Sequence, residues 1–196
     1  MTLVIPGEGR GESPATQMIS AARWFAGDIR GTRLFFYYEE SGHFDRVPPL
    51  RRQADRDAEE AGLVADVGKA TRAVGISRGA RAIAGLLAKD PGRFERVVLV
   101  VPPGDLRTPS LRYRNWLDSL PNAHRSPAPN TEFLVLGLRG DRSHPLRAAE
   151  EWAGRLGAPL KVFPARGDGR KPGSVWGELS PGYELMRNAA AEFLNR

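Results

Sequence analysis

Short apolar runs alternate along this chain with longer stretches whose apolar residues recur at helical spacing. Thr2 to Ile5 is apolar and β-prone, and it ends at Pro6-Gly7-Glu8-Gly9. Pro14 to Ile29 reads as a helix with Met18, Ala21, Ala22 and Phe25 on one face. Arg33 to Tyr38 is a strand of Leu, Phe and Tyr, and Pro48 to Val67 places apolar residues at helical spacing among many charges. Ala73 to Ile76 reads as a strand and Ala80 to Lys89 as the helix after it. Val97 to Val101 is a near-continuous apolar run stopped by Pro102-Pro103-Gly104, which suits a buried parallel strand, and Phe133 to Leu138 is another. Pro145 to Leu156 is helical, Leu160 to Phe163 is a final short strand, and Tyr183 to Leu194 is a closing helix. Strands separated mostly by helices predict an α/β fold, with a mostly parallel central sheet of about six strands and helices on both faces.

In such sheets ligands bind at the carboxyl ends of the strands. The informative residues fall there: Gly7-Glu8-Gly9, Gly42-His43, Ser77-Arg78, Pro102-Pro103 and Gly140-Asp141. Gly75-Ile76-Ser77-Arg78-Gly79 is the most specific of these, because it lies between a strand and a helix. That context turns a common G-x-S-x-G pattern into a candidate nucleophile elbow, a tight turn that lifts a serine hydroxyl above the sheet. Glycine at 75 and 79 lets neighbouring backbone approach the turn. The plainer alternative for Ser77 is a helix N-cap.

Composition narrows the classes. A chain of 196 residues with 41% apolar content can bury a substantial core, and no internal repeat or second domain is visible. We expect one domain over residues 1–196, with a short Pro-rich segment at 104–130; the stretch from Pro102 to Asn130 holds six of the sixteen prolines. There is no cysteine, so disulfides and thiolate metal sites are excluded, and no histidine pair stands at metal-ligand spacing. We expect no metal and no cofactor. Gly7-Glu8-Gly9-Arg10-Gly11 lacks both the dinucleotide spacing and the P-loop lysine. Net charge is +6, but the arginines are scattered, with no dense basic run interleaved with aromatics. Nucleic acid is therefore not the expected partner. No apolar run reaches membrane-spanning length, and a cytoplasmic protein is expected.

Together these elements resemble the α/β-hydrolase superfamily over nearly the whole chain. Pro6-Gly7-Glu8-Gly9 stands where that family has its oxyanion loop, and Ser41-Gly42-His43-Phe44 resembles a degraded Gly-His-Gly loop. Ser77 matches the nucleophile. Gly140-Asp141-Arg142-Ser143-His144-Pro145 resembles the acid loop, which makes Asp141 the acid. Two departures accompany the resemblance. The chain starts at the strand leading to the oxyanion loop, so the resemblance implies a minimal version without the family's usual first two strands. The 104–130 segment stands where many relatives insert a helical lid, which implies an open site.

A serine hydroxyl needs a base, and the base needs an orienting acid. The family order is serine, acid, histidine, with the histidine after the last strand. Here that stretch reads Pro164-Ala165-Arg166-Gly167-Asp168-Gly169-Arg170-Lys171, and no histidine follows His144. Asp168 falls near the expected place, but a carboxylate is a weak base at neutral pH unless burial raises its pKa. His144 is the better candidate for a relocated base, its alternative being a helix-start residue beside Pro145. His43 and His124 read as loop residues. The oxyanion hole needs backbone N–H groups rather than particular side chains, and those of Arg78 and Glu8 are the candidates. The resemblance thus implies an esterase or thioesterase with a degenerate triad, acting on a small carbonyl substrate. The rival is a non-catalytic member that binds a ligand or partner, and a cofactor-free lyase or isomerase is a third reading. Arg78, Arg139, Arg142, Arg166, Arg170 and Lys171 all fall at or beyond strand carboxyl ends, which favours an anionic ester or thioester unless arginine is simply abundant everywhere.

Overall fold

The computed structural model describes residues 1–5, 27, 29–34, 69–104, 130–140, 145–164 and 181–196. Its strands are β1 (Thr2–Ile5), β2 (Thr32–Leu34), β3 (Arg72–Ile76), β4 (Arg96–Val100), β5 (Glu132–Arg139) and β6 (Leu160–Pro164). Its helices are α1 (Arg78–Lys89), α2 (Leu146–Leu156) and α3 (Pro181–Leu194). The strands lie in the order β2-β1-β3-β4-β5-β6, joined by five parallel pairings. Parallel pairing puts every strand's carboxyl end on one edge. Crossovers of this kind bury both faces of the sheet, which is why β1, β3 and β4 are apolar almost without interruption.

Side chains alternate between the two faces with the period of two that a strand imposes. Leu3, Ile5, Ala73, Val97, Leu99 and Val135 pack on one face beneath α1 and α2. Val4, Val74, Ile76, Val98, Val100 and Leu136 pack on the other beneath α3. Helices therefore cover both faces, as the alternation of elements predicts. Alanine lines much of each helix's inner face: Ala80, Ala82 and Ala84 on α1, Ala148, Ala149 and Ala153 on α2, and Ala189, Ala190 and Ala191 on α3. Small side chains of this kind let a helix lie close against a sheet. Trp152 and Tyr183 supply the bulk and are fully buried. Burial pushes the Tyr183 phenol above its ordinary range, against a smaller opposite pull from the Arg187 guanidinium, so it is neutral at physiological pH.

The amino edge of the sheet is tied by polar contacts. Arg72 of β3 donates through Nη1 to the Leu194 carbonyl at 2.6 Å and through Nη2 to the Arg30 carbonyl at 3.4 Å. A cation there satisfies an end-of-helix carbonyl of α3 and complements the helix dipole. At the opposite edge, α3 begins against β6: a Cβ at Gly182 would collide with the Pro164 carbonyl oxygen. Where both ends are described, strand limits agree with the sequence expectation to within a residue; of the expected strand Arg33 to Tyr38 only Thr32–Leu34 is described, and the expected helices at 14–29 and 48–67 fall almost wholly outside the described residues. β4 ends at Val100 rather than Val101, and Val101 takes φ 40°.

Candidate active site

The site begins with β3. Its register places Gly75 between Ile5 of β1 and Leu99 of β4, so the strand carrying the candidate nucleophile has a partner on each side. At its end the chain turns directly into α1. Ser77 sits in that turn with φ 50° and ψ −113°. A non-glycine residue in that region is sterically costly and persists only where its surroundings over-determine it. Three contacts do so here. The Ser77 N–H donates to the Val100 carbonyl at 2.9 Å, extending the β3–β4 ladder by one residue. The Ser77 carbonyl accepts from the Ala80 N–H at 2.9 Å, closing the first turn of α1. Gly75 lets the helix fold back onto the strand: a Cβ there would stand 2.7 Å from Ala80 Cα, Ala80 N and the Gly79 carbonyl oxygen.

These observations separate the two readings of Ser77. An N-cap serine has β-region backbone angles and uses its oxygen to cap the helix. Ser77 has neither: its φ is positive and its side chain makes no capping hydrogen bond. The geometry is that of a strained strand-to-helix elbow. The residue as a whole is buried, at 9% exposure. The Arg78 N–H is the first of α1, and the first N–H groups of a helix have no acceptor within it. It lies directly after the serine in the same turn.

A second strained residue stands beside the elbow, and the sequence reading did not single it out. Val101, 1% exposed, donates its N–H to the Leu136 carbonyl at 2.8 Å and then turns with φ 40° into Pro102-Pro103. Trp152 of α2 donates from Nε1 to the Pro103 carbonyl at 3.2 Å and holds the far side of that turn. The available signal was a β-branched residue directly ahead of two prolines at a strand's end. Proline restricts its predecessor but does not by itself dictate a positive φ.

Of the residues singled out in the sequence, Ser77 and the backbone of Arg78 are brought together at this elbow. Glu8, Asp141, His144 and Asp168 lie outside the described residues, as do His43 and His124. The strands that precede three of them do end at the same edge as Ser77: β1 ahead of Glu8, β5 ahead of Asp141 and β6 ahead of Asp168. Arg139, the last residue of β5, is exposed there. Among the described residues no cluster of three or more His, Asp or Glu could hold a metal ion, and no helix is long and apolar enough to cross a membrane.

No protein-family model matches the chain, and no curated protein is significantly similar in sequence. Solved structures are similar in fold. A protein from Xanthomonas campestris pv. campestris, ascribed to the α/β-hydrolase superfamily, superposes with a TM-score of 0.59 at 16% identity, over 99% of this chain and 97% of that one. A serine hydrolase from the hydrocarbon-degrading bacterium Cycloclasticus zankles gives 0.61 at 16% identity, over 99% and 89%. A carboxylesterase from Mesorhizobium loti gives 0.56 at 16% identity, over 97% and 88%. The chain has the α/β-hydrolase fold, with the strained Ser77 at the turn from β3 into α1.

Proposed function

We propose that this protein is a serine hydrolase of the esterase or thioesterase type, with Ser77 as its nucleophile. The backbone of Ser77 carries the reading. A serine held at φ 50°, with no capping role, at the carboxyl end of a doubly flanked strand, is a residue whose strain has been retained for its hydroxyl. The hydrolase and carboxylesterase structures that share the fold support it.

In this reading the Ser77 Oγ attacks the carbonyl carbon of an ester or thioester and gives its proton to a base. The oxyanion is held by the Arg78 N–H and, in the reading taken from the sequence, by that of Glu8. The tetrahedral intermediate collapses to an acyl-serine as the alcohol or thiol leaves with the proton, and water then releases the acid. Asp141 is the proposed acid, His144 the proposed base and Asp168 its rival. Arg139 is exposed at this edge and supports an anionic substrate.

The test is turnover of short-chain nitrophenyl esters and acyl thioesters by the wild type, Ser77→Ala and His144→Ala. Activity that vanishes in Ser77→Ala and falls in His144→Ala supports a rebuilt triad. One sequence observation favours a second reading, that of a non-catalytic binding protein: no histidine follows β6. Failure of a fluorophosphonate to label Ser77 would support that reading and exclude the first.

A further inference from the structure

We propose that Val101 is a positioning residue for Ser77, an inference that rests on the nucleophile reading above. Two strained non-glycine residues, Ser77 at φ 50° and Val101 at φ 40°, stand at the carboxyl ends of adjacent strands. They are joined through one peptide. The Val100 carbonyl accepts the Ser77 N–H at 2.9 Å, and the N–H on the other side of that peptide, from Val101, donates to Leu136 at 2.8 Å. The peptide plane is thereby pinned on both sides, toward β3 and toward β5. Two residues further on, the Pro103 carbonyl is pinned by Trp152 Nε1 at 3.2 Å, and Trp152 is itself buried on α2.

Between these anchors only Val101 and Pro102 can absorb the change in chain direction. The proline ring fixes φ of Pro102, so the turn falls on Val101. A β-branched residue pays heavily for positive φ, and the surrounding contacts hold it there. The consequence for the site is stiffness. The acceptor of the Ser77 N–H is not the end of a soft loop but a peptide with no direction in which to tilt. The elbow's own strain is thus maintained by a rigid neighbour, and the Ser77 backbone, from which the hydroxyl projects, is held in one place relative to the Arg78 N–H. Small displacements of a nucleophile cost rate far more than they cost binding.

Val101→Gly and Val101→Ala separate this role from simple packing. Both remove the buried side chain, but alanine keeps a Cβ that leaves few backbone conformations open at Val101, whereas glycine accepts φ 40° and many other angles besides, so the turn between the pinned peptide and Pro103 gains freedom to move. Two readouts are taken: labelling of Ser77 by a fluorophosphonate, resolved into maximal rate and probe affinity, and hydrogen exchange of the Ser77 amide by NMR. The expected result is a maximal labelling rate about tenfold lower in Val101→Gly than in Val101→Ala, with probe affinity little changed. Ser77 amide exchange should be about tenfold faster in the glycine variant. Equal behaviour of the two variants in both readouts would overturn the proposal, because side-chain packing would then account for everything. If Val101→Gly does not fold, Trp152→Phe tests the same chain from its other anchor: it keeps an aromatic side chain, releases the Pro103 carbonyl, and should speed Ser77 exchange, whereas unchanged exchange would overturn the proposal. Absence of labelling in the wild type would refute the hydrolase reading alone, and the exchange comparison would still decide whether Val101 holds the elbow.

Discussion

Gly75→Ala is the sharpest test of the elbow, because the added atom meets only backbone. The new Cβ would stand 2.7 Å from Ala80 Cα, Ala80 N and the Gly79 carbonyl oxygen. Ordinary contact needs roughly 3.5 Å, so three atoms must each give way by roughly 0.8 Å. None is the tip of a flexible side chain. All belong to the first turn of α1, which is closed by the Ala80-to-Ser77 hydrogen bond and packed through buried Ala80 and Ile83. Moving that turn off β3 means loosening the helix along its length. Overpacking costs about 1–3 kcal/mol, and a backbone obstacle belongs at the upper end, so about 3 kcal/mol is expected. For a chain of this size that is a fall in Tm of roughly 6–12 °C. The assay is urea unfolding, read as a lowered midpoint at unchanged slope, with Gly92→Ala alongside. Gly92 has nothing within 4 Å of its would-be Cβ, and its substitution should move stability by less than about 0.5 kcal/mol. Ser77 labelling should fall in Gly75→Ala and not in Gly92→Ala. A Gly75→Ala protein as stable as the Gly92→Ala control would refute the close approach, and with it the elbow geometry.

Ser77→Ala should abolish ester or thioester turnover while shifting stability by less than about 1 kcal/mol, since alanine keeps the same backbone penalty and no side-chain cap is lost; parallel kinetics and thermal melts check both halves. Gly154→Ala should stabilise the protein by about 0.5–1 kcal/mol in urea unfolding, because the residue is an exposed glycine inside α2 with open space at its Cβ. Thr2→Val should raise stability by about 1 kcal/mol, because Thr2 is fully buried in β1 and its Oγ1 has no hydrogen-bond partner among the described residues. Its backbone bond to the Gly31 carbonyl is untouched by the substitution, so a lower melting temperature in that variant would show that the hydroxyl is satisfied after all.

The local parts of this protein were legible in its sequence. Apolar runs such as Val97 to Val101 announced buried strands, because a parallel strand covered on both faces has no room for polar side chains. Gly75-Ile76-Ser77-Arg78-Gly79 announced the elbow, because its requirements, a strained turn and a missing Cβ, concern residues adjacent in the chain. A triad is another matter: a serine–acid–base set gathers residues distant in sequence, so Asp141 was assigned from a resemblance, and His144 only as a substitute for the histidine that the resemblance implies after β6, neither from any local requirement. Only the tertiary structure decided the strand order, which places β3 between β1 and β4, and the division of the core between α1 and α2 on one face and α3 on the other. It also decided the conformation of Val101. Nothing within the run Val97 to Val101 demands a positive φ at its end. The demand comes from Ser77, Leu136 and Trp152, which reach the turn from β3, β5 and α2. A residue's own neighbours in sequence set which conformations are cheap, and contacts with distant segments can hold it in one that is not.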